Sequence, residues 1–197
     1  EIVATDIFAQ FKELATPLKD GQLRLTVTSA DMVLEKASLG LASGVIEAQG
    51  TVKDYMKSQN FDMTADVKNL KIQEVLKQEN APVKIEANVS ANLKVQGEGF
   101  SPKVLSSLTG EGTISYKEAK LKDINVLKTV LDKISVIPNV SEKVKAGLSP
   151  EASEKLTRSD TPLSDAQLPV MIKEGRVYIP EAALGSDGFL FKGAAQA

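Results

Sequence analysis

The sequence contains neither histidine nor cysteine in its 197 residues. Without histidine it lacks the usual general base and most transition-metal ligands, and a Ser-His-Asp arrangement is impossible. Without cysteine it has no thiolate nucleophile, no zinc cluster and no disulfide. No Ser-x-x-Lys dyad occurs, so the nucleophile used by penicillin-binding proteins is missing as well. We therefore expect no catalytic residue, no metal, no cofactor and no enzymatic activity.

Arginine and long apolar runs are also scarce. The formal net charge is −2, and Arg24, Arg158 and Arg176 are the only arginines among 24 basic residues. Nucleic-acid-binding proteins are normally basic and use arginine to contact phosphates and guanines, so we expect no nucleic-acid partner. No apolar run approaches the ~18 residues of a membrane-spanning helix. The chain begins at Glu1 without a signal sequence, and we expect it to be part of a longer protein.

A long stretch of strict alternation is the clearest structural pattern. Apolar residues occupy every odd position from 83 to 95, and polar residues occupy every even position between them. Such a strand would be about 43 Å long at ~3.3 Å per residue, whereas strands of ~5–6 residues are the most common. Its apolar face must be covered and its other face can meet water. The apolar positions are Val83, Ile85, Ala87, Val89, Ala91, Leu93 and Val95.

Two interpretations of this apolar strip remain open at this point. The strip lines a groove for acyl chains, or it packs on helices or on another sheet. The alternation alone favours the second interpretation, because most half-buried strands simply pack on their own domain.

The rest of the chain reads as further strands with short helices between them. Phe61, Met63 and Val67 alternate with polar residues and predict a strand, and residues 170–179 predict a hairpin around Glu174-Gly175. The two Gly-Glu-Gly triplets, at 97–99 and 110–112, predict turns, since neither has the lysine or third glycine of a phosphate-binding loop. Apolar spacing predicts helices at Thr5–Lys19, Ile72–Leu76, Pro102–Leu108, Asp123–Ile134, Val140–Leu148 and Glu151–Leu156.

These elements predict a mainly β fold of the α+β type. We expect a long, twisted, mostly antiparallel sheet of at least six strands that forms a half-open barrel or groove and carries several short amphipathic helices. No low-complexity linker divides the chain, so we expect one module over residues 1–197.

The order of these elements resembles a known family. A strand and short helix, Phe-Asp-Met-Thr-Ala-Asp-Val-Lys-Asn-Leu-Lys-Ile-Gln-Glu-Val-Leu at 61–76, precede the long alternating strand. Gly-Glu-Gly at 97–99, the glycines at 110 and 112, and Ile-Asn-Val-Leu-Lys at 124–128 then follow in order. This succession resembles the C-terminal region of the AsmA-like proteins of Gram-negative envelopes, from about Leu34 onward. Ala119 and Lys122-Asp123 depart from it, because turn glycines are common there.

The resemblance implies a function that composition and periodicity do not show. AsmA-like proteins are usually anchored in the inner membrane by an N-terminal helix, and their bulk lies in the periplasm. Their implied role is phospholipid transport to the outer membrane, or maintenance of that membrane, through an apolar β-groove. Here the groove would hold phospholipid acyl chains, with Phe61, Met63 and Val67 lining it beside the seven apolar positions of residues 83–95.

A second hypothesis is a structural or assembly module of the envelope that acts through contacts with other envelope proteins. In that case the apolar face would be filled by the chain's own helices, Thr5–Lys19 and Asp123–Ile134. The two hypotheses differ in whether that face is covered or open.

Overall fold

The fold is an eleven-stranded antiparallel sheet in a computed structural model. The structure describes residues 1–12, 14–78, 81, 83–99, 101, 104–134, 147, 149–186 and 189–196. The strands are β1 (Ile2–Ala9), β2 (Leu18–Val27), β3 (Met32–Leu41), β4 (Gly44–Lys53), β5 (Asn60–Lys71), β6 (Lys84–Glu98), β7 (Thr109–Lys122), β8 (Thr161–Pro162), β9 (Ala166–Lys173), β10 (Arg176–Ser186) and β11 (Phe189–Gln196).

The strands follow one another in the sheet almost in chain order. The path runs β1-β2-β3-β4-β5-β6-β7-β9-β10-β11, and β8 pairs with the far end of β7. Every pairing is antiparallel. β1 and β11 are the two edges of the described sheet, which is not closed into a barrel. The mainly β, antiparallel fold predicted from the sequence is therefore confirmed.

Four short helices lie between the strands in the described residues. They are α1 (Ile72–Val75), α2 (Val104–Ser107), α3 (Val126–Ile134) and α4 (Pro150–Thr157). The Asn125 side chain accepts a hydrogen bond from the Lys128 amide at the start of α3 and donates to the carbonyl groups of Lys155 and Arg158 at the end of α4. These contacts join α3 to α4, and the predicted helices at these places are confirmed. The predicted helix Val140–Leu148 lies outside the described residues, apart from Gly147.

The alternating segment forms β6, which at 15 residues is the longest described strand. Polar side chains on its other face form hydrogen bonds with side chains of the neighbouring strand β5. Asn92 donates to Asp66 of β5 at 2.7 Å, and Gln96 donates to Asp62 at 2.8 Å. Such cross-strand pairs hold the register, because a one-residue slip would turn every apolar side chain to water.

The segment Thr5–Lys19 is not a helix, and that prediction is wrong. Its residues form the end of β1, a loop, and the start of β2. A β-bulge inside the segment, the loop that follows it and a second bulge just beyond it together break the alternation. Asp6 and Asp20 adopt left-handed φ angles of 55° and 53° at register shifts between β1 and β2. Each bulge adds one residue and moves the following side chains to the other face, so the period of two is lost from the sequence.

The prediction of turns at the two Gly-Glu-Gly triplets is also mostly wrong. Gly97 lies inside β6, and Gly110 and Gly112 lie inside β7. Gly99 alone has a left-handed φ, of 80°, just after β6 ends. The predicted turn at Glu174-Gly175 is confirmed, with φ angles of 50° and 73° that match a type I′ hairpin.

One non-local contact closes the end of the sheet at which β5 finishes. The β1–β2 loop meets α1. The amide of Ala15 donates to the carbonyl of Val75 at 2.8 Å, and the Thr16 hydroxyl donates to the carbonyl of Glu74 at 2.8 Å. Val75 is buried there. Loop and helix therefore form a small packed unit at this end.

Candidate functional site

The pairing register places apolar residues from at least eight strands on one face of the sheet. Residues directly opposite in an antiparallel pair share a face, so each row can be followed from strand to strand. The row through Ala91 comprises Leu39, Ile46, Val67, Ala91, Ile114 and Leu168. The row through Val95 comprises Ile2, Leu25, Leu34, Gly50, Met63, Val95, Gly110, Ile172 and Val177. We call this surface the apolar face.

Between these two rows lies a row whose middle is made of small residues. Ala37, Ala48 and Ala65 are consecutive partners on β3, β4 and β5, and the row has Leu23 on β2 and Leu93 on β6 at either end of them. Larger side chains stand on both sides: Ile46 and Val67 in one row, Met63 and Leu34 in the other. The alanines therefore form the floor of a shallow channel that runs across the strands.

Glycines allow several of the large side chains to lie flat on the sheet. A Cβ added to Gly97 would sit 2.5 Å from Cζ of Phe61 and 3.2 Å from Cδ2 of Leu108. A Cβ added to Gly112 would sit 2.7 Å from Cδ2 of Leu93. At Gly97 the missing side chain thus leaves room for an aromatic ring to lean across the neighbouring strand.

The apolar face is not covered as the core of a compact domain would be. The chain exposes 12,720 Å² of surface, whereas a compact monomer of 21.1 kDa exposes about 9,000 Å². Among the described residues no large side chain is less than 2% exposed. The floor alanines and the large residues beside them are all half-buried. The centre of the face is thus half-buried, whereas Val52 and Val170, which the register places on the same face, are only 4% and 3% exposed.

The structure separates the seven apolar positions of residues 83–95 into three groups. Val89, Ala91, Leu93 and Val95 are half-buried on the apolar face. Ala87 is only 7% exposed, at the level where α1 packs beside β6. Val83, which precedes β6, and Ile85 are each 40% exposed. The group from Val89 to Val95 is the part that borders the channel.

The three predicted residues of the neighbouring strand also lie on the apolar face. Val67 opposes Ala91, Met63 opposes Val95, and Phe61 opposes Gly97. All three are half-buried. The register therefore brings these residues together with β6, as a groove would require.

The part of the face that lies beyond β5 was not predicted from the sequence. Ala37 and Ala48 become a row with Ala65 only through the pairing of β3, β4 and β5. A signal was available, since Leu39 and Leu41 alternate with polar or small residues after Ala37. The bulge near Glu35 hides it, because the register of β3 shifts between Leu34 and Ala37.

The opposite face carries the charged side chains. A hydrogen bond from Lys68 holds the pKa of Glu47 below its ordinary value, and the same contact raises the pKa of Lys68. Glu86 pairs with Lys120 at 2.8 Å. These contacts occur between neighbouring strands, and they orient the sheet with its charges away from the apolar face.

The Tyr116 hydroxyl is a polar group on the apolar side of the sheet. Tyr116 opposes Val89 and so begins on the apolar side, and its hydroxyl is buried without a hydrogen-bond partner in the part of the chain that the structure describes. Burial raises the pKa of Tyr116, and the nearby Asp165 carboxylate adds to the effect. The hydroxyl therefore stays protonated at neutral pH.

The described residues contain no group of three or more acidic side chains placed to hold a metal ion. Asp62 and Asp66 each accept a hydrogen bond from a carboxamide on β6, as described above, which gives both a role in the sheet. Within the same residues, none of the helices has both the length and the apolar character needed to cross a bilayer.

The comparison with protein-family models decides the relationship of this chain. The model of the AsmA family matches residues 8–182, which is most of the chain. The chain belongs to the AsmA family. Searches of curated proteins and of solved structures give no match. Membership in the AsmA family agrees with a role in the cell envelope, and the match includes both the floor alanines and β6.

Proposed function

We propose that this AsmA-family chain is a non-enzymatic module that carries phospholipid acyl chains on its apolar face. It would serve transport to the outer membrane or maintenance of that membrane. The observation that carries the proposal is the breadth of an apolar face whose central residues are only half-buried, together with the large exposed surface of the chain.

The channel floor is long enough for part of an acyl chain. Strands are ~4.8 Å apart, so the floor of three alanines from β3 to β5 spans about 10 Å. An extended chain of single bonds advances ~1.2 Å per bond, as the peptide backbone shows, so about eight carbons cover that distance. Each methylene that leaves water contributes ~0.8 kcal/mol. We therefore propose that the acyl chain lies across the strands, over Ala37, Ala48 and Ala65, while the head group stays in water.

The proposal places the chain on the periplasmic side of a Gram-negative envelope, as one module of a protein anchored in the inner membrane. Family membership supports this location.

Site-specific photo-crosslinking tests the proposal. A benzophenone amino acid at Ala48 faces the channel, and the same group at Gln49 faces the opposite side of the sheet. Both chains would be incubated with phospholipid, irradiated and analysed by mass spectrometry. We expect a lipid adduct at position 48 and little or none at 49. Adducts at neither position, or equally at both, would contradict the proposal.

The exposed apolar residues of β1 favour a second candidate function, a structural or assembly module. β1 is an edge strand with Ile2 and Val3 more than half exposed, and exposed edges can accept a strand from another protein. In that case, substitutions on β1 would abolish binding to a protein partner and leave the lipid adduct unchanged.

A further inference from the structure

We infer that the end of the sheet beside α1 carries a docking patch for a bilayer surface that contains anionic lipid. Its apolar residues are Phe11, Leu76, Val83 and Ile85, and its basic residues are Lys12, Lys77 and Lys84. We call it the lysine-rimmed patch. It concerns how the module meets a membrane, which is separate from what its apolar face carries, so either proposal can fail alone.

Hydrogen bonds hold the parts of the patch together although they come from distant segments. The Gln78 side chain donates to the carbonyl of Ile85 at 2.8 Å and accepts from its amide at 2.6 Å. The ammonium group of Lys77 donates to the carbonyl of Lys12 at 2.7 Å. Leu14 forms a β-bridge with Leu76. The β1–β2 loop, the segment after α1 and the start of β6 therefore present one surface.

The apolar members of the patch are unusually accessible. Phe11 is 48% exposed, Leu76 47%, and Val83 and Ile85 40% each. Large apolar side chains grouped in this way usually mark an interaction surface. The patch also joins the apolar face, since Ile85 lies on β6 two residues before Ala87.

Charge indicates which partner the patch fits. Lys12, Lys77 and Lys84 form no ion pair with any carboxylate that the structure describes. Of the described carboxylates near the patch, Glu86 is paired with Lys120 and Glu74 with Lys71, and Asp123 lines the same cavity as Lys84 and Ile85. Apolar side chains bordered by lysines that pair with no described carboxylate suit the interface of an anionic bilayer, because the apolar parts enter the acyl boundary while the ammonium groups reach the phosphates.

Vesicle flotation tests this inference with the 197-residue chain. The probe is vesicles of phosphatidylcholine, either pure or with about one phosphatidylglycerol in three lipids. The anionic lipid supplies the negative surface that attracts nearby lysines. We expect binding to the anionic vesicles and much weaker binding to pure phosphatidylcholine. The double variant Lys12→Gln, Lys84→Gln should bind about 25-fold more weakly, at about fivefold for each lysine. Phe11→Ser and Val83→Ser should also weaken binding.

The opposite end of the sheet supplies matched controls. Met56 is 75% exposed in the β4–β5 turn, with Lys57 beside it, so Met56→Ser and Lys57→Gln remove the same kinds of group. Both controls should bind like the unaltered chain. Two variants at separate positions guard against a folding defect in one, and circular dichroism checks each.

Several outcomes would overturn the inference. They are no binding to anionic vesicles, equal binding to both vesicle types, or equal loss in the controls. A dimer that dissociates in Phe11→Ser would instead identify a second copy of the chain as the occupant. Loss of vesicle binding in the patch variants, with the lipid adduct at position 48 retained, would separate docking from acyl-chain binding.

Discussion

Replacing Ala91 by glutamate distinguishes an open apolar face from a closed core. Ala91 is half-buried at the centre of β6, next to Val67 and Ile114. If the face is open, the carboxylate can turn into water, and the change should lower the free energy of unfolding by about 0.5–1 kcal/mol. If the face is a closed core, an unpaired carboxylate is buried at a cost of about 3–5 kcal/mol.

The same strand provides a reference for the closed case. Ala87, four residues earlier on the same side of β6, is only 7% exposed. Ala87→Glu should therefore cost several kcal/mol or prevent folding, since a whole domain is stable by only ~5–15 kcal/mol. Thr113→Glu is the control for added charge, because Thr113 is exposed on the opposite face beside Ile114.

Urea unfolding followed by circular dichroism measures the difference. With an m-value of about 2 kcal/mol/M, Ala91→Glu should move the midpoint by less than about 0.5 M, close to the shift of Thr113→Glu. Ala87→Glu should move it by about 2 M. A shift for Ala91→Glu as large as that for Ala87→Glu would refute the open face, and would leave the structural module as the better explanation.

Three further predictions concern the frame of the sheet. A hydrogen bond from Lys122 lowers the pKa of Asp160, so this carboxylate stabilises the fold above its unfolded pKa and the contribution is lost as pH falls through the lowered value. Asp160→Asn should therefore flatten the loss of stability below about pH 4, and an unchanged acid profile in thermal melts would contradict this. Gly97→Val should cost about 1–3 kcal/mol by crowding the Phe61 ring, with partial recovery in the double variant with Phe61→Leu; a melting temperature equal to that of the unaltered chain would be the opposing result. The Ile85 amide of β6 donates to the Gln78 side chain, so Gln78→Ala should speed hydrogen exchange at that amide. Unchanged protection would show that another group accepts from the Ile85 amide.

The long strand and the hairpin at Glu174-Gly175 could be predicted because local chemistry determines them. Residues 83–95 alternate without interruption, since the bulges beside β6 lie in its neighbours, at Asn69 and Glu118. The bulges at Asp6 and Asp20, by contrast, lie within β1 and β2 themselves. They break the alternation of these strands, and with the apolar residues of the loop between them the spacing resembles that of a helix.

The candidate site was predictable along each strand and not across strands. Met63 and Val67 could be assigned to one side of a strand by alternation alone. That Ala48 continues the row of Ala65, and Ala37 the row of Ala48, depends on register, which turns and bulges set. The sequence pattern suggested an apolar strip along β6, whereas the register shows a channel that crosses the strands.

The central claim is that the apolar face binds phospholipid, and native mass spectrometry of the chain purified without detergent tests it most directly. Ala65→Glu places a charge on the channel floor, and Thr64→Glu places the same charge on the other face of β5. If the apolar face binds lipid, one or more phospholipids should be bound to the unaltered chain and to Thr64→Glu, with a marked loss on Ala65→Glu. A lipid-free unaltered chain, or equal lipid on both variants while both remain folded, would contradict that claim.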